Sequence, residues 1–247
     1  MRGPGRWAAV AVTGPGATPL RVLSYNVHSL RDDLSALAAV VRAAEPDAVI
    51  VQEAPRRFRW RTRCAALARS FGLFVVAGGL PALGNLVLTN LRVRPHRSWC
   101  LRYPLTPGRH LRGAAFAVCS VGPARFALAG SHLSTDPAER PAQAALLKAA
   151  LNEVTEPVVF GADLNESSGG AAWRTLVDGL VDAAGRAGCE RPTFPCADPR
   201  DRIDALFVDP RIEVRRYEVV DTPQARRASD HFPVLADLAL PPSGRGR

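Results

Sequence analysis

The first apolar segments of the chain constrain the fold most, because they combine two strands with a helix between them. Leu20–Val27 is rich in branched apolar residues, which is typical of a buried strand. Asp32 or Asp33 then caps a helix that Pro46 ends, and Ala48–Glu53 forms a second buried strand. A strand, a helix and a strand in this order predict parallel strands joined by a right-handed crossover. We therefore expect an α/β protein.

The remaining elements follow from apolar patterns that Gly and Pro separate. A second helix is predicted over Arg56–Gly72. Strands in an antiparallel-looking succession follow it at Leu73–Val76, Leu86–Thr89, Arg92–Arg102, Ala114–Val121 and Arg125–Gly130. Later helices are predicted over Pro137–Asn152 and Trp173–Leu180, and later strands over Val158–Phe160, Arg202–Val208, Ile212–Val220 and Val234–Leu240.

The length of 247 residues and the 47% apolar content predict one large domain, which we place at residues 20–240. Residues 1–19 and 241–247 are rich in Gly and Pro, and we expect them to be disordered. No stretch reaches the roughly 20 apolar residues of a membrane-spanning helix. We expect a cytoplasmic monomer, although the basic and briefly apolar N-terminus leaves secretion as an alternative.

The five cysteines form an odd set without a CxxC pair. Cys100 and Cys119 lie in strand-like apolar runs, which indicates free thiols in a reducing compartment. A bridge between Cys189 and Cys196 is the alternative that the spacing leaves open.

The formal net charge of +9 favours polyanionic or phosphorylated partners. Arg56–Arg63 interleaves arginines with Phe58 and Trp60, a pattern that can hold a nucleic-acid backbone and stack bases. A solvated helix face, with arginine stems covering apolar surface, explains the same pattern equally well.

Acids, amides and histidines recur where apolar strands begin or end. Asp163 and Asn165 follow the strand Val158–Phe160 and are two residues apart, so both side chains can face one ligand. A carboxylate and an amide suit a hard cation with phosphate oxygens attached, although an Asx-rich turn is the better explanation of this stretch taken alone. The other residues of this kind are Asn26, Glu53, His132, Asp204, Asp230 and His231.

Taken together and in order, these positions resemble the endonuclease/exonuclease/phosphatase superfamily, the deoxyribonuclease I-like metal-dependent phosphohydrolases. The matching stretches cover roughly residues 20–240 and are Leu23–Val27, Val51–Glu53, Gly84–Leu88, Ser131–Leu133, Gly161–Asn165, Arg202–Asp204 and Ser229–His231. The resemblance implies an α/β (α+β) four-layer sandwich, in which two packed mixed β-sheets are flanked by helices. It also implies an active site at one end of the sandwich.

The resemblance further implies roles for individual residues. Glu53 would be the principal ligand of a divalent cation, Mg²⁺ or alternatively Mn²⁺, and the other ligands would be Asn26, Asp163 and Asp230. Asn26 and Arg112 would contact the substrate phosphate. The catalytic residues implied are His132, Asp163, Asn165, Asp204 and His231, of which Asp204 would orient His231. Either Asp163 or His231 would deprotonate the attacking water.

The expected activity is a magnesium-dependent phosphoesterase, with phosphodiester hydrolysis favoured and either a nuclease-like or a small-molecule or lipid substrate. A phosphomonoesterase of the same fold is one alternative, and a catalytically silent module that binds nucleic acid or another polyanion through Arg56–Arg63 is another. Ser131-His132-Leu133 replaces the Tyr-x-Pro-Asn of apurinic endonucleases. This difference argues against repair of abasic sites and favours the branch of the superfamily with a histidine here.

Overall fold

The computed structural model describes residues 17–242. Residues 1–16 and 243–247 lie outside the described residues, and with them most of the two terminal segments that we predicted to be disordered. The first strand begins at Thr18, two residues before the predicted start, because Thr18 and Pro19 pair with the end of the last strand at Leu240 and Ala239.

Twelve strands and six α-helices make up the part of the chain that the structure describes. The strands are β1 (Thr18–Asn26), β2 (Ala48–Gln52), β3 (Phe74–Gly79), β4 (Asn85–Thr89), β5 (Val93–Arg102), β6 (Gly113–Val121), β7 (Ala124–His132), β8 (Val158–Asp163), β9 (Val181–Asp182), β10 (Asp204–Val208), β11 (Glu213–Val219) and β12 (Val234–Leu240). The helices are α1 (Leu34–Ala44), α2 (Trp60–Phe71), α3 (Arg140–Asn152), α4 (Ala171–Val177), α5 (Ala183–Ala187) and α6 (Ala225–Ala228). None of the helices described is long and apolar enough to cross a membrane.

The strands form two mixed sheets of six strands each, with orders β11-β12-β1-β2-β4-β3 and β5-β6-β7-β8-β10-β9. Each sheet has one parallel pair, β1 with β2 and β7 with β8, and its other pairs are antiparallel. The predicted parallel pairing of β1 and β2 is therefore confirmed. The predicted antiparallel succession divides between the sheets, because the chain leaves the first sheet after β4 and enters the second at β5.

Alternating side chains of the second sheet enter two different apolar layers. Phe116 and Phe160, for example, pack with α3 and α4 on the outer face, whereas Leu128 and Leu206 point inward to the core shared with the first sheet. Residues of α1 and α2 pack in that larger core as well. The predicted sandwich of two mixed sheets flanked by helices is confirmed.

Two glycines allow the sheets to approach closely. Gly130 of β7 and Gly161 of β8 are register partners. A Cβ atom on Gly130 would lie 2.5 Å from Cγ2 of Ile50, and one on Gly161 would lie 2.8 Å from Oγ of Ser24. Side chains of β1 and β2 therefore occupy the space that a larger residue would need.

Local backbone geometry corrects one predicted boundary. Arg56 was predicted to open the second helix, but α2 begins at Trp60 because Arg59 adopts a left-handed conformation with φ of 58°. The start of α1 is as expected, since the Asp33 carboxylate accepts hydrogen bonds from the amides of Ser35 and Ala36.

All five cysteines are free thiols, so the alternative bridge between Cys189 and Cys196 is not formed. Burial raises the pKa of the Cys64 thiol to about 11 and that of Cys119 to about 12.

Candidate active site

The ends of the two parallel strand pairs meet at one edge of the sandwich. In the second sheet, β7 ends at His132 directly beside Asp163, the last residue of β8. In the first sheet, β1 ends at Asn26 beside Gln52. The Nδ2 atom of Asn26 donates a 2.8 Å hydrogen bond to Oδ2 of Asp163, which joins the two sheets at this edge. The crossover topology of both sheets thus brings these polar residues together.

His231 and Asp204 form a buried pair across the same edge. Nδ1 of His231 lies 2.9 Å from Oδ2 of Asp204, and both side chains are almost fully buried. The ring of Phe194 packs against the imidazole at a centroid distance of 4.6 Å. Oγ1 of Thr193 accepts hydrogen bonds from the amides of Ile203 and Asp204. The hydrogen bond to Asp204 and the packing against the Phe194 ring together hold the imidazole in one orientation.

The surrounding carboxylates favour a protonated His231. Burial alone would lower its pKa, but the negative charges of Asp204, Asp163 and Asp230 outweigh it and raise the pKa to about 10. Its Nε2 atom lies 3.8 Å from Oδ2 of Asp163 and 4.0 Å from Oδ1 of Asp230. At neutral pH this ring therefore places a positive charge among three carboxylates.

His132 has the opposite protonation state. Burial, together with the nearby charge of Arg112, lowers its pKa to about 3 in spite of the Asp163 carboxylate. Nη1 of Arg112 lies 2.9 Å from Nδ1 of His132, and a guanidinium can only donate, so Nδ1 accepts. The proton of the neutral ring is then on Nε2, which faces Oδ2 of Asp163 at 3.2 Å.

The Asp163 carboxylate is the centre of these contacts. Besides the donors already described, its Oδ1 accepts a 2.9 Å hydrogen bond from the amide of Asn165. Asn165 has a left-handed backbone with φ of 49°, a conformation that Asn tolerates better than most residues. Its Nδ2 atom lies 2.9 Å from Nε2 of His132 and donates to the carbonyl oxygen of Leu133. Asp163 and Asn165 are therefore joined to each other and both contact His132.

A cavity of about 490 Å³ opens beside this cluster. Glu53, Arg112, His132 and Asp230 are among the residues that line it. Glu53 is half-buried, has a left-handed backbone with φ of 58° and accepts a 2.7 Å hydrogen bond from Oγ of Ser29. Strained backbone of this kind in a non-glycine residue persists where the surrounding structure holds it in place.

The residues facing the cavity fit a hard divalent cation. Glu53 and Asp230 supply carboxylate oxygens that solvent reaches, and no thiol lines the cavity. A second set of atoms within 4.8 Å of one another comes from Asp163, Asp204 and His231. We favour the first set, because Asp204 and His231 already use their facing atoms in their mutual hydrogen bond and all three residues are buried.

The structure brings most of the predicted site residues into direct contact. Hydrogen bonds and short contacts connect Asn26, Arg112, His132, Asp163, Asn165, Asp204 and His231. Asp230 approaches this group through His231, at 4.0 Å. Glu53 faces the same cavity, but its direct hydrogen bond is to Ser29 rather than to another predicted ligand.

Two further residues at the site, His28 and Ser29, were not predicted from the sequence, and Arg56 was predicted only as part of the segment Arg56–Arg63. His28 lines the cavity with Nε2 3.7 Å from Oδ2 of Asp230, and Ser29 donates to Glu53. Both belong to a left-handed turn directly after β1, and their position just beyond Asn26 was the available signal. Arg56 donates to the carbonyl oxygens of Leu83 and Leu111, which ties neighbouring loops together.

Comparison with known proteins identifies the family and the fold. The model of the Endonuclease/Exonuclease/phosphatase family matches residues 23–231. No curated protein matches the chain by sequence. Among solved structures, an endonuclease/exonuclease/phosphatase family protein from Bacteroides thetaiotaomicron has a TM-score of 0.76 and 18% identity, covering 91% of this chain and 98% of that protein.

Two other similar structures have more specific names. A mannosyl-6-phosphatase from Bacteroides thetaiotaomicron has a TM-score of 0.76 and 17% identity, covering 89% of this chain and 99% of its own. D. rerio TDP2, complexed with a single strand DNA product, has a TM-score of 0.73 and 18% identity, covering 90% and 99%. At these identities the likeness shows a shared fold, whereas the family model spans most of the chain. The chain therefore belongs to the endonuclease/exonuclease/phosphatase family.

Proposed function

We propose that this protein is a phosphoesterase that depends on a divalent cation, Mg²⁺ or alternatively Mn²⁺, and that hydrolyses phosphodiesters. The observation that carries the proposal is the hydrogen-bonded cluster around Asp163, open to a cavity lined by Glu53 and Arg112. Family membership supports the same reaction class.

Glu53 and Asp230, with the amide of Asn26, would hold the cation at the cavity wall. When bound, the cation would polarise the phosphoryl oxygen and stabilise the leaving oxygen. Arg112 would bind the phosphate. Its Nε–H has no hydrogen-bond partner among residues 17–242, and of its terminal nitrogens only Nη1 is engaged, by His132.

The two histidines would have different tasks. His231, held by Asp204 and protonated, would donate from Nε2 to the negative charge that develops on the phosphoryl group. His132 would stay neutral and position Arg112 and Asp163. We assign deprotonation of the attacking water to Asp163, whose carboxylate Asn26 and Asn165 orient through hydrogen bonds to its two oxygens.

An activity screen with a matched variant tests the proposal. Purified protein is assayed on bis-p-nitrophenyl phosphate, p-nitrophenyl phosphate, plasmid DNA, RNA and phospholipid, with magnesium, with manganese and with excess chelator. We expect hydrolysis that chelation abolishes and added metal restores, and that Asp163→Asn lacks while remaining folded. Full activity in chelator would contradict the metal assignment, and no hydrolysis of any ester by folded protein with either metal would contradict the reaction class.

The same screen compares diesters with monoesters. One similar structure is named a mannosyl-6-phosphatase and another contains a DNA product, so both ester types belong in it. A preference for p-nitrophenyl phosphate over the diester would favour the phosphomonoesterase alternative. Tight binding of DNA without hydrolysis would favour the silent binding module, for which the exposed Arg57 and Phe58 supply contacts.

A further inference from the structure

The cavity beside the Asp163 cluster carries more positive charge than one phosphate can neutralise. Its lining includes five arginine side chains, at positions 31, 56, 57, 63 and 112, but only two carboxylates, Glu53 and Asp230. A bound divalent cation would increase this excess. A phosphodiester carries about one negative charge and a phosphomonoester about two, so a single phosphate leaves the cavity electropositive.

Two of the five arginines already have identifiable positions in the site. Arg56 is held by the carbonyl oxygens of Leu83 and Leu111, and Arg112 contacts His132 beside Asp163. The guanidinium of Arg56 therefore stabilises the loops, and that of Arg112 would bind the phosphate next to the Asp163 cluster.

The other three arginines have no such commitment. Among residues 17–242, no carboxylate lies within ion-pair distance of Arg31, Arg57 or Arg63. The side chains of these three arginines also donate no hydrogen bond to another described residue. All three are exposed, yet all three line the same concave cavity. Like charges gathered in one cavity repel one another unless an anion binds between them.

We propose that Arg31, Arg57 and Arg63 form a subsite for a second phosphate of the substrate, so that the preferred substrate carries two phosphate groups. The inference rests on the proposed phosphoesterase function and specifies its substrate class. The cavity volume of about 490 Å³ is within the range of small-molecule sites, which accommodates a bisphosphorylated compound. Guanidinium groups suit the subsite, because each can bind phosphate oxygens through two parallel N–H donors.

The test uses pairs of ligands that differ by one phosphate. Thymidine 5′-phosphate is compared with thymidine 3′,5′-bisphosphate, and fructose 6-phosphate with fructose 1,6-bisphosphate, by isothermal titration calorimetry with and without magnesium. Released inorganic phosphate is measured after each titration. We expect the bisphosphate to bind about tenfold or more tightly than its partner at low salt, because charge-assisted hydrogen bonds to phosphate are strong. A gain in both pairs supports recognition of the phosphate alone, and a gain only in the thymidine pair supports a nucleic-acid strand as its source.

Two variants assign the gain to the subsite. The double variant Arg57→Gln/Arg63→Gln should reduce the ratio of the two affinities to within about twofold, whereas Arg94→Gln, an exposed arginine of β5 away from the cavity, should leave it unchanged. If the double variant does not fold, Arg57→Gln alone serves, since Arg57 is exposed and lies outside the helices and strands.

Three outcomes would overturn the subsite. The first is equal affinity of the unaltered protein for both members of each pair. The second is an equal loss of affinity for both members in the double variant. The third is a loss of the affinity ratio in Arg94→Gln as large as that in the double variant. Calorimetry detects binding without turnover. A missing second-phosphate gain is therefore distinguishable from a failure of the proposed phosphoesterase activity, which the screen on chromogenic esters measures separately.

Discussion

The imidazole Nδ1 of His231 and the carboxylate Oδ2 of Asp204 are 2.9 Å apart, although the residues are 27 positions apart in the chain. Asp204 begins β10 of the second sheet, whereas His231 lies just before β12 of the first. If this pair acts as one unit, loss of either partner disables the same step. Asp204→Asn and His231→Ala should each lower kcat about a hundredfold or more, and the double variant should fall little below the worse single variant.

Steady-state kinetics of the two single variants and the double variant check this coupling. A double variant whose loss equals the product of the two single losses would show that the residues act independently. Melting temperatures of all three proteins control for damage to the fold.

Replacement of Glu53 by Gln should weaken metal binding more than it destabilises the protein. The side chain is half-buried at the cavity wall and makes one described hydrogen bond, to Ser29, so it contributes little to core packing. We expect the magnesium concentration for half-maximal activity to rise about tenfold or more, because one charged oxygen ligand is lost. Glu153→Gln, at the exposed end of α3, is the matched control. A strongly lowered melting temperature together with an unchanged magnesium titration of the folded variant would show that Glu53 is structural.

Replacement of Gly130 by Ala should destabilise the domain by about 1–3 kcal/mol, because the new methyl group would overlap Ile50 between the sheets. Gly169→Ala is the control, since a Cβ atom there meets nothing within 4 Å and the change should stay within about 0.5 kcal/mol. Urea unfolding measures both. Equal free energies of unfolding for the two variants would contradict the close packing of the sheets.

The pKa values of the two histidines predict opposite pH dependences of stability in the metal-free protein. The native state keeps a proton on His231 up to about pH 10, whereas the unfolded state loses it near the ordinary value of about 6.5. The stability that this proton contributes is full below pH 6.5 and is lost as the pH rises toward 10.

For His132 the sign is reversed. Its native pKa of about 3 is below the unfolded value, so the unfolded state binds an additional proton and stability falls as the pH decreases from about 6.5 toward 3. The free energy of unfolding is therefore measured in chelator from pH 4 to 9. Its decrease above pH 6.5 should disappear in His231→Asn, and its decrease below pH 6.5 should become smaller in His132→Asn. Unaltered slopes in both variants would contradict the assigned protonation states.

Much of the site could be predicted because strand ends are visible in the sequence. Asn26 and Asp163 lie where apolar runs end, and parallel pairing brings such positions to one edge of a sheet. Asp204 begins an apolar run, and the antiparallel pairing of β10 with β8 places it opposite Asp163 at the same edge. The family resemblance then supplied the order of the motifs and the partnership of Asp204 with His231, which strand periodicity alone does not contain.

The features that were missed depend on conformation rather than on residue pattern. His28 and Ser29 reach the cavity because they adopt a left-handed turn, and neither residue type predicts such a turn. Arg59 ends the expected extension of α2 in the same way. The passage of the chain from the first sheet to the second after β4 could not be predicted either. Alternation of apolar and polar residues predicts a strand but does not indicate which strands it pairs with.

The hydrogen bond from Asn26 to Asp163 connects the first sheet to the second, and the nearby pair of His231 and Asp204 also connects them. The proposed reaction centre therefore lies between the two sheets, and its geometry depends on their relative position. A displacement of about 1 Å can cost about a hundredfold in rate. We therefore expect a small shift between the two sheets to lower kcat at temperatures at which the protein is still folded. The kcat of Gly130→Ala, measured far below its melting temperature, should fall, whereas Gly169→Ala should remain fully active.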